Sequence, residues 1–240
     1  MQKITLNLFL LSAFLLAVAM IGGWILTQNI ENSIAAFNFV KISATYSLFI
    51  LLAQMLTFKK AKNEMLYQLL FLVAMGMAMM WVMLSLFLPV FWIDNIEFTV
   101  KIFMAIFFVY VCIGNLFFAF KSFEEKWKAF ENSNALKNYF PYSEKTDWEK
   151  IALSLDLQGN VYILGSPKFL TNVISILMIP SMLLGLSLRN LYPEFSLFAW
   201  GIPSSIIAAF FVQMTGYNLA QVVKIKKLQK EGNFVFYSTS

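Results

Sequence analysis

Apolar residues run along this chain in six blocks, extending from Thr5 to Leu26, Ser33 to Phe58, Met65 to Trp92, Ile102 to Phe120, Phe169 to Leu188 and Leu197 to Val223. None of the blocks contains an acidic residue. Roughly 20 mostly apolar residues in a helix cross about 30 Å of hydrocarbon, so each block has the length of a membrane span. The apolar content is too continuous for a surface helix, and the alternation of a membrane β-barrel is missing, which leaves helices that satisfy their own backbone hydrogen bonds. The pattern predicts an all-α membrane protein: a six-transmembrane-helix bundle. Residues 1–120 would carry the first four helices and 169–223 the last two, with a connecting segment at 121–168 and a tail at 224–240.

The connecting segment is the one sizeable polar stretch, and it is too short for a robust core of its own. It should dock on the bundle, the membrane surface or a partner. Phe123, Trp127 and Phe130 recur at i, i+4 and i+7 among Glu124, Glu125, Lys126 and Lys128, the pattern of an amphipathic helix continuing the fourth span. With Trp148 they form a candidate face for the anionic inner leaflet, or for a partner. Pro141 should break this helix. Thr146 and Glu149 then have the spacing of a capping box. Leu153, Leu155 and Leu157 alternate with polar residues, followed by Gly159-Asn160 and a β-prone run from Val161 to Leu164, which suggests a short β-hairpin.

Charge fixes the expected orientation. Lys3, the cluster Lys59, Lys60 and Lys62, the series from Lys121 to Lys168, and Lys224, Lys226, Lys227 and Lys230 place 15 of the 18 cations on one side of a six-span arrangement. Lys41, Lys101 and Arg189 are left for the other. The lysine-rich side should be cytoplasmic, with both termini there, and the net charge of +5 then reports topology before it argues for nucleic acid. Trp24, Trp92, Tyr192 and Trp200 fall at the outer ends and Tyr67 and Trp127 at the inner ones, as amphipathic rings prefer; Trp81, in mid-span, does not. The start resembles a secretory signal with Ala17-Val-Ala19 as cleavage site, but the apolar run continues through Trp24 and Leu26 and is long enough to span. The usage of 17 Lys against one Arg, with abundant Asn, Phe and Ile, fits an AT-rich bacterial source and hence an inner membrane.

Composition excludes several chemistries. Charged residues make up 13% of the chain, against about 25% in a soluble domain. With no histidine there is no Ser-His or Cys-His dyad and no His-ligated metal, and Cys112 alone cannot form an internal disulfide or an all-cysteine site. No cofactor is expected. The absence of Asp and Glu from the spans weighs against proton- or sodium-coupled transport and intramembrane aspartyl proteolysis. An enzyme would have to work with the acidic residues outside the spans, and none is expected. Met75, Met79 and Met83 share a face that thioether chemistry would allow to carry Cu(I), but without histidine or a cysteine pair they are read as packing.

The remaining polar groups in the spans are Lys41 and neutral side chains. Lys41 lies eight residues into its span, within snorkelling reach of the outer headgroups; the functional alternative is an anion site at a pore mouth. Asn115, Gln213, Tyr217, Asn218 and Gln221 are candidates for glue between helices or for a water-lined vestibule, and Gln213, Tyr217 and Gln221 share one face by their i+4 spacing. Gly201, Ser205 and Ala209 form a small-residue ridge for helix contact, as do Ala74 and Ala78 around Gly76. The function expected is therefore that of a polytopic inner-membrane protein acting non-enzymatically: an anchor, an assembly subunit or a protective partner of the toxin-immunity type. The alternative is a small channel or uniporter with a neutral pore. Its partners would be the bilayer and another membrane or cytoplasmic protein, or a second copy, and no nucleic acid.

Overall fold

Every apolar block of the sequence is helical in the computed structural model, which describes residues 6–30, 33–61, 64–132, 145–157, 168–188, 190–232 and 235–237. The helices are α1 (Leu6–Ile30), α2 (Ser33–Ala61), α3 (Met65–Phe87), which continues as a 3-10 helix (Leu88–Trp92), α4 (Phe98–Asn132), α5 (Trp148–Ser154), α6 (Lys168–Leu188) and α7 (Pro193–Gly232). Two three-residue strands, β1 (Lys145–Asp147) and β2 (Val235–Tyr237), pair in parallel with Lys145 opposite Val235 and Asp147 opposite Tyr237.

Five of these helices, α1, α2, α3 with its 3-10 extension, α4 and α7, are long and apolar enough to cross a membrane. The fifth block of the sequence is also helical, with a shorter apolar stretch over Asn172–Leu188. The outside of the bundle matches that reading. Leu10, Phe14 and Ile21 on α1, Leu48, Phe49 and Leu56 on α2, and Phe103, Ile106 and Ile113 on α4 are exposed. Contiguous apolar surface on this scale is not left to water by a soluble monomer, and hydrocarbon solvates it without penalty. The long apolar helices and this surface are compatible with a multi-pass membrane protein.

At the centre, α3 and α7 run antiparallel in close contact. A Cβ added at Gly76 would collide with the hydroxyl of Thr215 on α7, so any larger residue there would force that side chain to shift. Gly201, toward the other end of the same seam, faces Phe87 and Val90, and a Cβ there would meet them at an ordinary 3.5 Å. Of the small residues singled out in the sequence, Ala74, Ala78, Ser205 and Ala209 are all buried.

α1, α2 and α3 form an up-and-down set joined by polar pairs as well as packing. Gln54 Nε2 donates to Ser12 Oγ at 2.8 Å between α2 and α1. Trp81, anomalous as an interfacial aromatic, is explained by a partner: its ring stacks on Tyr46 at 4.1 Å and its indole N–H donates to Ser43 Oγ at 2.9 Å. The Tyr46 hydroxyl donates to the Met77 carbonyl at 3.1 Å, completing the α2–α3 seam. On the other side of α7, α4 runs parallel to it and α6 antiparallel, with Gly216 against Ala119 and Gly185 against Ala199. α6 packs on α7 and leaves Ile176, Ile179 and Leu183 exposed.

At about 1.5 Å per residue the 35 residues of α4 and 40 of α7 exceed the hydrocarbon thickness, so both project at the lysine-rich end. There a second core gathers Phe123, Trp127 and Phe130 of α4, Trp148, Ile151 and Leu155 in and after α5, and Tyr217 and Ile225 of α7. It crosses the sequence divisions at 120 and 223.

Three expectations change. The face formed by Phe123, Trp127, Phe130 and Trp148 is not offered to a membrane surface or a partner, because all four side chains are buried against one another and against α7. The cap of α5 is Asp147, whose carboxylate accepts from the Glu149 N–H at 3.0 Å, while Thr146 lies in β1. Leu153 belongs to α5 and Leu155 to the turn that closes it, so the first arm of the expected hairpin is helical; the second arm, from Val161 to Leu164, and Pro141 lie outside the described residues. The helical choice buries Ile151 and Leu155 and leaves Leu153 exposed, whereas an alternating strand would place all three on one face.

Candidate functional site

The polar residues singled out in the spans are placed in different surroundings. Lys41 is on the exposed side of α2, its ammonium 4.4 Å from the centre of the exposed Phe37 ring one turn toward the helix start. Asn115 is fully buried, and its Nδ2 donates to the Val111 carbonyl at 2.8 Å on its own helix. Gln213 is fully buried too.

Tyr217, Asn218 and Gln221 come together farther along α7, where that helix meets α5. The geometry begins with Trp148, the first residue of α5, held in place by the Asp147 cap. Its indole N–H donates to Gln221 Oε1 at 2.9 Å, and Gln221 Nε2 reaches the Tyr217 carbonyl at 3.4 Å. Its ring stacks on Trp127 of α4, with centroids 5.8 Å apart and planes 15° from parallel. Lys224, one turn beyond the tyrosine-glutamine face, places its ammonium 4.4 Å from the Trp127 centroid and 3.2 Å from Glu131 Oε1. Trp127 Nε1 also donates to Glu131. A cation over an indole face and beside a carboxylate is attracted by both. Three helices are thereby fastened by aromatic stacking, one buried hydrogen bond and one ion pair.

Beside this junction lies a cleft of about 470 Å³. Tyr217, Asn218 and Gln221 form its α7 wall, and Glu149, Leu153 and Asp156 the facing wall from α5 and its closing turn. Leu72 of α3 and Met214 line the end that reaches into the bundle. Asp156, in the turn that closes α5, takes a positive φ of 44°, which aspartate tolerates better than most residues. Lys126 on α4 donates to the Asp156 carbonyl and fixes the turn.

Sequence spacing identified one wall, since Tyr217 and Gln221 stand one turn apart. The opposite wall escaped it because Glu149 read as part of a capping box and Asp156 as a polar position of a hairpin arm; the positive-φ turn at Asp156 has no marker stronger than the aspartate itself. Lys224 and Glu131, 93 positions apart, carry no signal of their pairing. No family model matches this sequence, and it matches neither a curated protein nor a solved structure.

Proposed function

We propose that the chain is a six-span protein of the bacterial inner membrane, with both termini and the α5 junction in the cytoplasm, which acts through contacts as an anchor, assembly subunit or immunity-type partner. Two features support six spans. α6, at 21 residues, reaches about 31 Å as a helix. Because α4 and α7 run side by side in the same direction, the chain between them has to return, and α6 is antiparallel to α7. The bias of lysines toward one end supports the cytoplasmic assignment.

The observation that carries the contact reading is how the polar side chains of the spans are used. Gln54 with Ser12, Trp81 with Ser43, and Gln221 with Trp148 join helices in pairs, and Lys41 faces outward. Such pairs contribute about 0.6 kcal/mol each to association within a membrane. The protein is a scaffold whose polar groups hold it together.

The cleft favours one other reading, a small channel or uniporter, because Tyr217, Asn218 and Gln221 would form a polar vestibule with Gln213 one turn deeper. Liposomes containing the purified chain separate the two. The contact reading expects no flux of potassium, sodium, protons or chloride above protein-free vesicles. Flux that falls in Gln213→Leu or Asn218→Leu would establish the conduit instead.

A further inference from the structure

The cleft beside α5 is graded in polarity along its length. On its α7 wall Met214, Asn218 and Gln221 follow at i, i+4 and i+7, so apolar gives way to amide over about 10 Å toward the lysine-rich end. Leu72 faces the apolar end, while Glu149 and Asp156 supply two carboxylates at the polar end. The cleft is open at its bundle end, where Met214 is 37% exposed within an apolar span, so the mouth there meets the surface that lipid covers. A ligand entering there would leave its apolar part at Met214 and Leu72 and present its polar part to the carboxylates.

We infer that this cleft is a binding site for an aminophospholipid, taking the primary ammonium of its headgroup against Glu149 and Asp156 and the first carbons of an acyl chain against Leu72 and Met214. An ammonium offers three N–H donors, and the two carboxylates with the Asn218 amide oxygen form a set of acceptors for it, the Gln221 oxygen being taken by the Trp148 indole. Lys126, held at the rim by the Asp156 carbonyl, provides the cation for the phosphate. A choline headgroup has no N–H to donate, and an anionic glycerol headgroup would meet the carboxylates with like charge. The inference rests on the membrane placement proposed above, with the α5 end at the cytoplasmic leaflet.

The test uses the full chain. It is first reconstituted into vesicles and extracted at alkaline pH; release from the membrane would refute the membrane placement, whereas retention leaves it standing whatever follows. The detergent-solubilised protein is then offered equal amounts of phosphatidylethanolamine, phosphatidylcholine and phosphatidylglycerol, and the lipids kept are counted by native mass spectrometry. Phosphatidylethanolamine should be retained about tenfold over phosphatidylcholine, the factor expected of charge-assisted hydrogen bonds lost with the N–H donors. The double variant Glu149→Gln, Asp156→Asn should bring the two near parity, and asparagine suits the positive φ at 156. Equal retention by the unmodified protein would overturn the inference without any variant, as would dominance of phosphatidylglycerol. Displacement of the lipid by soluble glycerophosphoethanolamine at the same concentration would overturn the acyl part of the site.

Discussion

Trp148 and Gln221, 73 positions apart, meet through a 2.9 Å hydrogen bond from the indole N–H to the amide oxygen, with both side chains buried. The bond fastens a short helix from the polar connecting segment to the longest helix of the bundle. Removing either partner leaves the other without its bond in an apolar setting, which costs about 1–3 kcal/mol. Trp148→Phe should therefore lower stability by that amount, followed by thermal unfolding in detergent. Adding Gln221→Leu to it should recover part of the loss, since replacing both partners by apolar groups removes the orphan. A double variant weaker than the sum of the singles would contradict the pairing.

Gly76 and Gly201 lie in one helix seam, yet they should respond oppositely. Gly76→Leu forces a side chain into Thr215 and the α7 backbone and should cost more than about 2 kcal/mol. Gly201→Ala finds ordinary contact distances and removes a flexible helical residue, so its effect should lie between neutral and a gain of about 1 kcal/mol. Unfolding midpoints of the two proteins, compared with the parent, read this directly.

Lys224 and Glu131 pair across α7 and α4 over the Trp127 ring. A double-mutant cycle with Lys224→Met and Glu131→Gln should give a coupling of about 1 kcal/mol, in the range for a partly exposed ion pair. Trp127→Leu should lower stability further, because the stack on Trp148 goes with it. Additive single effects would show that the pair is incidental.

Lys41 offers a contrast of a different kind. Its outward placement beside Phe37 predicts that Lys41→Leu leaves unfolding within about 0.5 kcal/mol of the parent. The same variant should leave vesicle permeability unchanged, and an altered ion flux would return it to a pore mouth.

Much of the helical framework was legible because length and apolar continuity are local properties: the start of α2 at Ser33 and of α3 at Met65 coincides with the edges of their apolar blocks. The small-residue ridge around Gly201 was legible for a related reason, since close approach needs residues without bulk. The α5 junction was read differently, although its aromatic spacing was plain. An i, i+4, i+7 stripe says that a face is covered and not by what, and Trp148, which covers it, sits beyond a stretch of polar sequence. The hairpin expectation failed at Leu153 because alternation over five residues is also compatible with one and a half turns of helix. The cleft was half visible for the same reason: α7 supplies its periodic wall, and a single turn at Asp156 supplies the other.

The central claim, a six-span bundle with its lysine-rich end in the cytoplasm, is tested most directly by reporter fusions whose activity depends on the side of the membrane. Reporters joined before Met1 and after Ser240 should both stay cytoplasmic, and one inserted near Asn95 should be exported. Termini on opposite sides would mean an odd number of crossings and would contradict the account, with α6 the helix that fails to span; both termini outside would reverse it.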